Sequence, residues 1–193
     1  MSAFIAIHPV IMPVCAADQA LHGRPKVAAL RAQARQALAQ SADYAGVVLG
    51  ALRKNAQGAP LPSNGIHWSL SHKGTAVAAV TASRPIGIDL EIVRPCNPGL
   101  YQRIADDREW ALAGAVNPEL FFRIWTAKEA VLKAVGQGLT GLSDCRIHEI
   151  LDDTRMIITY ENTIWPVVHR WWQAHHLVAV TANHDQIIWH LPE

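Results

Sequence analysis

Two short segments of the sequence carry charged side chains at spacings suited to phosphate chemistry. In the first, Asp89 and Glu91 alternate with apolar residues, so a strand would place both carboxylates on one face. In the second, Glu129 and Lys133 lie one helical turn apart, and Lys128 precedes the glutamate. If this strand and this helix pack together, three carboxylates and two lysines converge. Such a cluster suits a hard divalent cation that holds phosphates.

The same residues also have ordinary structural interpretations. Asp89 and Glu91 could form the polar outer face of an edge strand, although two parallel carboxylates repel each other without a cation between them. Glu129 could form a surface ion pair with Lys133 or close a capping box with Thr126. The capping box is the weaker alternative because a better helix start lies upstream. The residues alone leave these alternatives open.

The composition narrows the class of protein. Half of the 193 residues are hydrophobic and 17% are charged, which indicates a globular chain with a substantial core. The net charge of +1 gives no general attraction to nucleic acid or to a membrane surface, and we expect neither as a partner. Three widely spaced cysteines without a C-x-x-C pattern argue against disulfides and zinc, and fit the cytoplasm. We also expect no signal peptide and no membrane span.

The elements that must position the charged residues alternate between helices and strands. A helix is expected to begin at Asn117-Pro118 and to end near Gly136. A hairpin is expected before the acidic strand, and the stretch 165–176 is ambiguous between helix and strand. The predicted helices are 25–42, 43–53, 106–114 and the one that begins at Asn117, and the predicted strands are 3–14, 67–72, 76–82, 86–93, 155–160, 177–182 and 186–190.

A short repeat suggests that the chain has two similar halves. The tetrapeptide Ala-Val-Thr-Ala occurs at 79–82 and again at 179–182, and each copy closes a run of helix, loop and apolar strands. Residues 1–85 and 86–193 are therefore predicted to form two α+β halves. The acidic strand begins just after their junction, where a site shared between the halves needs it.

The motifs resemble those of a known family. Gly87-Ile88-Asp89-Leu90-Glu91 and Trp125-Thr126-Ala127-Lys128-Glu129-Ala130-Val131-Leu132-Lys133 are similar to the paired signature of the 4'-phosphopantetheinyl transferases, G-x-D-x-E and W-[S/T/C]-x-K-E-[A/S]-x-x-K. Upstream, Trp68-Ser69-Leu70-Ser71-His72-Lys73 resembles that family's F-N-L-S-H-S motif. All three stand in the family's order, over residues 68 to 133.

The resemblance implies a fold and an activity. The fold would be an α+β pseudo-dimer whose active site lies in the cleft between its halves, and the protein would be a monomer. Its reaction would be Mg²⁺-dependent transfer of 4'-phosphopantetheine from coenzyme A to a serine of an apo acyl or peptidyl carrier protein, releasing adenosine 3',5'-bisphosphate. The carriers of this family serve fatty-acid, polyketide and nonribosomal peptide synthesis. A regulatory paralogue that binds coenzyme A without transfer is the alternative.

The resemblance also assigns roles to single residues. Mg²⁺, with Mn²⁺ as an alternative ion, would be held by Asp89, Glu91 and Glu129. Glu129 and Lys133 would be catalytic. The N-terminal half would contribute to binding coenzyme A, and the expected contacts with that substrate are Arg35, Ser71, His72, Lys128 and Lys133, with Arg31 a weaker candidate.

Three departures from the family pattern concern binding of the cofactor. Ser69 stands where asparagine is usual, and Lys73 stands where serine is usual. Upstream, Ala59 replaces the lysine of a Gly-Lys-Pro segment. One lysine contact with coenzyme A is therefore expected to be missing, which affects affinity rather than the chemistry.

Overall fold

The computed structural model describes residues 6–182 and 186–192 and has a mixed α+β architecture. Short 3₁₀ turns at Pro98–Leu100 and Leu139–Asp144 flank the central helices. The strands are β1 (Ala6–Ile7), β2 (Val10–Pro13), β3 (His67–Lys73), β4 (Ala76–Ala82), β5 (Ile88–Ile92), β6 (Arg146–Ile150), β7 (Arg155–Tyr160), β8 (Thr163–Trp172), β9 (His176–Thr181) and β10 (Gln186–Ile187). The α-helices are α1 (Ala16–Gln19), α2 (Gly23–Tyr44), α3 (Tyr101–Ile104), α4 (Asp107–Ala113) and α5 (Pro118–Val135).

The strands form two antiparallel sheets in separate halves of the molecule. The first sheet has the order β2-β4-β3, and the second has the order β5-β9-β8-β7-β6. A parallel pair, β1 with β10, joins the two ends of the described chain. The prediction of an α+β pseudo-dimer is confirmed, whereas the domain boundary between residues 85 and 86 stays a prediction.

The two sheets lie back to back between the two long helices. Ala78 and Val80 of β4 share a buried cluster with Leu90 of β5 and Val178 of β9, so this cluster is the core between the sheets. The other face of the first sheet packs on α2, and the other face of the second sheet packs on α5. The layers therefore run helix, sheet, sheet, helix, and burial of apolar area in three clusters holds them together.

Helix α5, which carries the second charged segment, has well-defined ends. Asn117 accepts a hydrogen bond from the backbone N–H of Leu120 at 2.9 Å, and Pro118 occupies the first helical turn. Gly136 ends the helix with φ of 75°, a left-handed conformation that glycine adopts without steric cost. The helix bounds predicted from the sequence are confirmed.

One predicted helix was wrong. Residues 43–53 do not continue as a second helix, because α2 ends at Tyr44 and Gly46 turns the chain with φ of 65°. The N–H of Val47 then donates to the carbonyl of Ala42 at 3.0 Å, which closes a Schellman motif. The glycine signal within 43–53 was therefore a helix stop.

The C-terminal half contains more sheet than the sequence predicted. Strand β6 was not predicted, and the ambiguous stretch 165–176 proves to be most of β8 followed by a turn. The predicted first strand begins at Ala3, which lies outside the described residues. Among residues 6–182 and 186–192, no helix is both long and apolar enough to cross a membrane.

Candidate active site

Helix α5 lies unusually close to the acidic strand β5. A Cβ atom at Gly87, just before β5, would overlap the carbonyl oxygen of Ala130 in the helix. Only glycine permits this approach. Ile88 and Leu90 point into the core between the sheets, so Asp89 and Glu91 face α5, as the alternation predicts. Both acidic residues are buried.

Serine hydroxyls from β3 cover the outer edge of β5. Ser69 accepts a hydrogen bond from the N–H of Ile88 at 3.1 Å, and Ser71 accepts one from the N–H of Leu90 at 3.2 Å. Ser71 also donates to Asp89 Oδ1 at 2.9 Å. Strand β5 is thus an edge strand in its sheet, yet its edge is paired by side chains and its acidic face is not exposed.

Two lysines neutralise the two carboxylates of β5. Lys133 Nζ donates to Asp89 Oδ1 at 2.7 Å and to the carbonyl of Ile88 at 3.1 Å. Lys73 Nζ lies 2.9 Å from Glu91 Oε1 and 2.8 Å from Oε2. Among the residues that the structure describes, no ion pair joins Lys133 to Glu129, so the surface ion pair considered from the sequence does not form.

Several buried carboxylate oxygens of this cluster lack a hydrogen-bond partner within the described residues. They are Asp89 Oδ2 and Glu129 Oε1. Glu91 Oε2 also accepts no hydrogen bond of good geometry, but it lies 2.8 Å from Lys73 Nζ in an ion pair. Burial, and secondly the charge of Asp89, raise the pKa of Glu129 to about 7. Glu129 can therefore gain or lose a proton near neutral pH.

The unpartnered atoms of this cluster are carboxylate oxygens, which are the ligand type that Mg²⁺ prefers. Within 6–182 and 186–192, however, no three His, Cys, Asp or Glu side chains converge closely enough to ligate one ion. Two of the carboxylates instead form ion pairs, Glu91 with Lys73 and Asp89 with Lys133. The cluster is thus chemically suited to a divalent cation but is arranged around ammonium groups.

A cavity of about 290 Å³ opens beside this cluster, between the two halves. Glu129 and Lys133 line one side of it, together with the glycine-rich turn after α5. The opposite side comes from β3 and from the loop that precedes it, including Lys54 and Ala59. The carboxylates, the lysine and the cavity therefore meet at the junction of the halves.

Positive charges of three side chains act on His72 of β3. Burial, followed by the charges of Lys133, Arg31 and Lys54, lowers the pKa of His72. Of the two candidate arginines of α2, Arg31 therefore contributes positive charge at His72, whereas Arg35 lines a separate groove formed with residues 47–52. Lys54 was not predicted as a site residue because it belongs to no motif. In the sequence it is marked only by lying four residues before Gly58, in a loop.

Lys128 does not join the cluster. Its side chain is 1% exposed, and its Nζ donates to Glu109 Oε1 at 2.7 Å and to the carbonyl of Ile104 at 2.6 Å. Burial lowers the pKa of Lys128. One residue along a helix is a rotation of about 100°. Lys128 therefore points away from the face that carries Glu129, and it ties α5 to α4 instead of reaching the cavity.

A second, more apolar groove of about 400 Å³ lies on the other side of Glu91. Its apolar part includes Phe121, Trp125 and the exposed Leu100. Lys73 lines the same groove, whose other basic residues are Arg94 and Arg103. The acidic cluster can therefore be approached from two sides.

Comparison with known sequences agrees with the motifs. The sequence profile of the 4'-phosphopantetheinyl transferase superfamily matches residues 85–182 of the chain. The match includes β5, the whole of α5 and the strands up to β9, and confirms the resemblance seen in the motifs. The segment that contains Lys54, Ser71 and His72 lies outside it.

Individual relatives match over shorter parts of their length. The 4'-phosphopantetheinyl transferase HetI of Nostoc sp. is 41% identical over 91 residues, which cover 44% of this chain and 38% of the relative. The transferase gsp of Aneurinibacillus migulanus is 32% identical over 91 residues, 45% of this chain and 38% of the relative. A 4'-phosphopantetheinyl transferase of Bacillus subtilis is 28% identical over 125 residues, 62% of this chain and 56% of the relative. The chain therefore matches less than two thirds of the length of these relatives.

Proposed function

This chain belongs to the 4'-phosphopantetheinyl transferase superfamily, and from that premise we propose that it transfers 4'-phosphopantetheine from coenzyme A to a serine of an apo carrier protein. One observation carries the proposal. Unpartnered, buried oxygens of Asp89 and Glu129 lie with Lys133 beside a cavity between the two halves. Phosphoryl transfer depends on positioning and neutralisation of charge, which this arrangement supplies. The proposed enzyme is a monomer.

Asp89, Glu91 and Glu129 would hold the Mg²⁺ ion of the proposed enzyme. When bound, the ion would neutralise charge on the diphosphate of coenzyme A. The protein itself holds the ligand oxygens in position. Ser71 and Lys133 donate hydrogen bonds to Asp89 Oδ1 and leave Oδ2 without a partner within the described residues. The close packing at Gly87 sets the distance between strand and helix.

Glu129 is the proposed general base. Its Oε1 has no hydrogen-bond partner within the described residues and its side chain lines the cavity, so it is placed to accept a proton from a group bound there. In the proposed step, the carrier's serine oxygen forms a bond to the phosphorus that bears pantetheine. The phosphoanhydride bond to adenosine 3',5'-bisphosphate breaks, and the serine proton passes to Glu129. Lys133 stabilises negative charge on the phosphates.

The remaining phosphate charge of coenzyme A would meet the basic groups around His72. Arg31, Lys54 and Lys133 all lie close enough to His72 to lower its pKa. Lys54 lines the cavity beside Ala59, so it is suited to supply the positive charge that a lysine at position 59 would have given. Arg35 and Lys128 face elsewhere, and we do not carry their sequence-based roles into the proposal.

The apolar groove beside Glu91 is the proposed docking surface of the carrier protein. Carrier proteins of this family are acidic helical bundles, and the groove combines apolar residues with Lys73, Arg94 and Arg103. It reaches Glu91 directly, so a carrier seated there would bring its serine to the acidic cluster. The cavity on the other side remains available for coenzyme A.

The transfer is tested by incubating the chain with coenzyme A, Mg²⁺ and a panel of apo fatty-acid, polyketide and peptidyl carriers. Intact-mass spectrometry should show at least one carrier gaining the phosphopantetheine mass. Glu129→Gln, which keeps the shape of the side chain, should lower the rate about 10²- to 10³-fold. If no carrier gains mass while calorimetry detects binding of coenzyme A, the chain is instead the binding-only paralogue.

Docking is tested by reversing one charge in the groove. Arg103→Glu should raise the KM for the carrier about tenfold and leave the KM for coenzyme A unchanged, because only the acidic partner meets this residue. Arg170→Glu makes the same change at an exposed residue of β8 that does not line the groove, and serves as the control. Equal effects of the two substitutions would argue against this docking surface.

A further inference from the structure

Lys73 makes an unusual contact with the acidic cluster. It is the third residue of a row on β3, after Ser69 and Ser71, whose side chains all face β5. The two serines bind backbone N–H groups, whereas Lys73 spans both oxygens of the Glu91 carboxylate at 2.9 and 2.8 Å. The ammonium group of Lys73 therefore already contacts the oxygens through which Glu91 would bind a divalent ion.

The partners of Glu91 show how far its charge is already satisfied. Besides Lys73, its Oε1 receives a long hydrogen bond of 3.4 Å from the indole N–H of Trp125. Asp89, by contrast, keeps one oxygen without a partner, as does Glu129. Within the described cluster, Lys73 and Lys133 therefore offset two of the three possible negative charges.

Lys73 is also free to leave. Its side chain is 39% exposed, compared with 27% for Lys133 and 11% for Glu91. A lysine stem is flexible, and its ammonium can exchange one anion for another without rearranging the backbone. An arriving phosphate could therefore draw Lys73 away from Glu91, whereas β5 holds the carboxylate in place.

We propose that Lys73 is a tethered counter-ion that competes with the divalent cation for Glu91, so that metal binds weakly until a phosphate ligand takes the lysine. The inference rests on the proposed function for the identity of that ligand, coenzyme A, whose diphosphate would enter from the cavity and reach the acidic cluster that separates this cavity from the groove lined by Lys73. It makes the binding of metal and of coenzyme A mutually favourable, because each removes the obstacle to the other. Lys73 therefore couples the binding of the divalent cation to the binding of the phosphate ligand.

The test is the affinity for Mn²⁺, used as a paramagnetic probe and measured by calorimetry or by electron paramagnetic resonance of free Mn²⁺. Lys73→Met keeps the apolar stem and removes the charge. We expect it to bind Mn²⁺ at least about tenfold more tightly than wild type without coenzyme A, since one nearby positive charge is lost. With saturating coenzyme A, the difference should shrink or reverse. The binding of Mn²⁺ to coenzyme A alone is measured separately, and the concentration of free Mn²⁺ is corrected for it.

Two control variants separate the contact from general charge. Lys73→Arg should keep the wild-type affinity for Mn²⁺ because it can still pair with Glu91. Arg94→Met removes another cation that lines the same groove and should change the affinity about twofold or less. If Lys73→Met binds Mn²⁺ no more tightly than wild type, or no more tightly than Arg94→Met, the inference is overturned.

The outcome is distinguishable from failure of the proposed function. A chain that modifies carriers, but whose Mn²⁺ affinity does not respond to Lys73→Met, keeps the transferase and loses the counter-ion. A chain that modifies no carrier, but whose affinity rises in that variant, keeps the counter-ion and loses the transferase. If neither wild type nor Lys73→Met binds Mn²⁺, with or without coenzyme A, the inference is overturned together with the metal site.

Discussion

The two halves share a strand order, yet only one of them has acidic residues beneath its helix. In the first half the order is β2-β4-β3 with α2 on the outer face, and in the second β5-β9-β8 with α5 on the outer face. The repeated tetrapeptide lies on the middle strand of each set. Ala79 pairs with Val10, and Ala179 pairs with Asp89. Asp89 therefore occupies the position that an apolar core residue holds in the other half.

The next inward-facing pair repeats the contrast. Met12 of β2 corresponds by register to Glu91 of β5. In the first half, Val10 and Met12 pack against an apolar stripe of α2 that includes Leu30 and Ala34. In the second half, the helix offers polar and charged groups instead. The two halves thus differ on the helix-facing side of one edge strand, while their strand order is the same.

The largest expected effect comes from making the second half resemble the first at one position. Asp89→Val introduces the residue of the equivalent position and should reduce transfer by about 10³-fold or more, because it removes an oxygen proposed to hold the metal. Thermal unfolding should remain cooperative, since valine suits a buried strand.

Asp153→Val is the matched control for that variant. It removes the same charge from an exposed turn and should leave transfer intact. Rates are measured by intact-mass spectrometry of the carrier. Transfer by Asp89→Val within about threefold of wild type would remove Asp89 from the proposed chemistry.

The second effect concerns the close approach that distinguishes the acidic half. Gly87→Ala places a methyl group against the carbonyl of Ala130, so α5 must shift away from β5. We expect a loss of about 2–3 kcal/mol in the free energy of unfolding, as for other overpacked sites, measured by urea denaturation. Gly138→Ala, where a Cβ meets nothing within 4 Å, should be nearly neutral. If both variants are equally stable, the proposed close packing is wrong.

The smallest effect tests a third position at which the halves differ. His169 of β8 pairs with Ala179, as Leu70 of β3 pairs with Ala79. Burial lowers the pKa of His169 from 6.5 to about 4. Between these values the unfolded chain binds a proton that the folded protein excludes. Stability is therefore full above about pH 6.5 and is lost as the pH falls towards 4.

Replacing this histidine should remove part of the pH dependence. In wild type, His169 is expected to contribute a loss of roughly 1–2 kcal/mol between pH 7 and pH 5, and His169→Leu should lack that contribution. Urea denaturation at the two pH values measures it. His148→Gln, on the exposed face of β6, is the control and should keep the wild-type dependence. An unchanged dependence in His169→Leu would show that other groups cause it.

Much of the fold could be predicted because local signals agreed with the tertiary structure. Asn117 and Gly136 fixed the ends of α5, and the alternation in β5 fixed which face carries the carboxylates. The helix predicted over 43–53 was wrong because Gly46, which lies inside that range, turns the chain just after α2 ends. Strand β6 was missed because its polar side chains obscure the alternation of a half-exposed edge.

The candidate site could be predicted only in part, because sequence spacing does not reveal the partner of a side chain. Lys128 and Lys133 stand in one motif, yet one is buried on Glu109 and the other reaches Asp89. The charge of Arg31 lowers the pKa of His72, whereas Arg35, the better match to the family, lines a separate groove. Lys54 belongs to no motif and enters the site through the path of a loop. Each of these outcomes depends on how separate elements pack.

From the amino-acid order alone it follows that Asp89 and Glu91 share a face and that Glu129 and Lys133 lie one turn apart, because these features depend only on the period of a strand and of a helix. The residue types of the motifs also indicate the family. Burial of the carboxylates, the pairing of Lys133 with Asp89 and the pairing of Lys73 with Glu91 result only from the packing of separate elements. Burial and ion pairing arise where β3, β5 and α5 meet, so no single segment of the sequence could specify them.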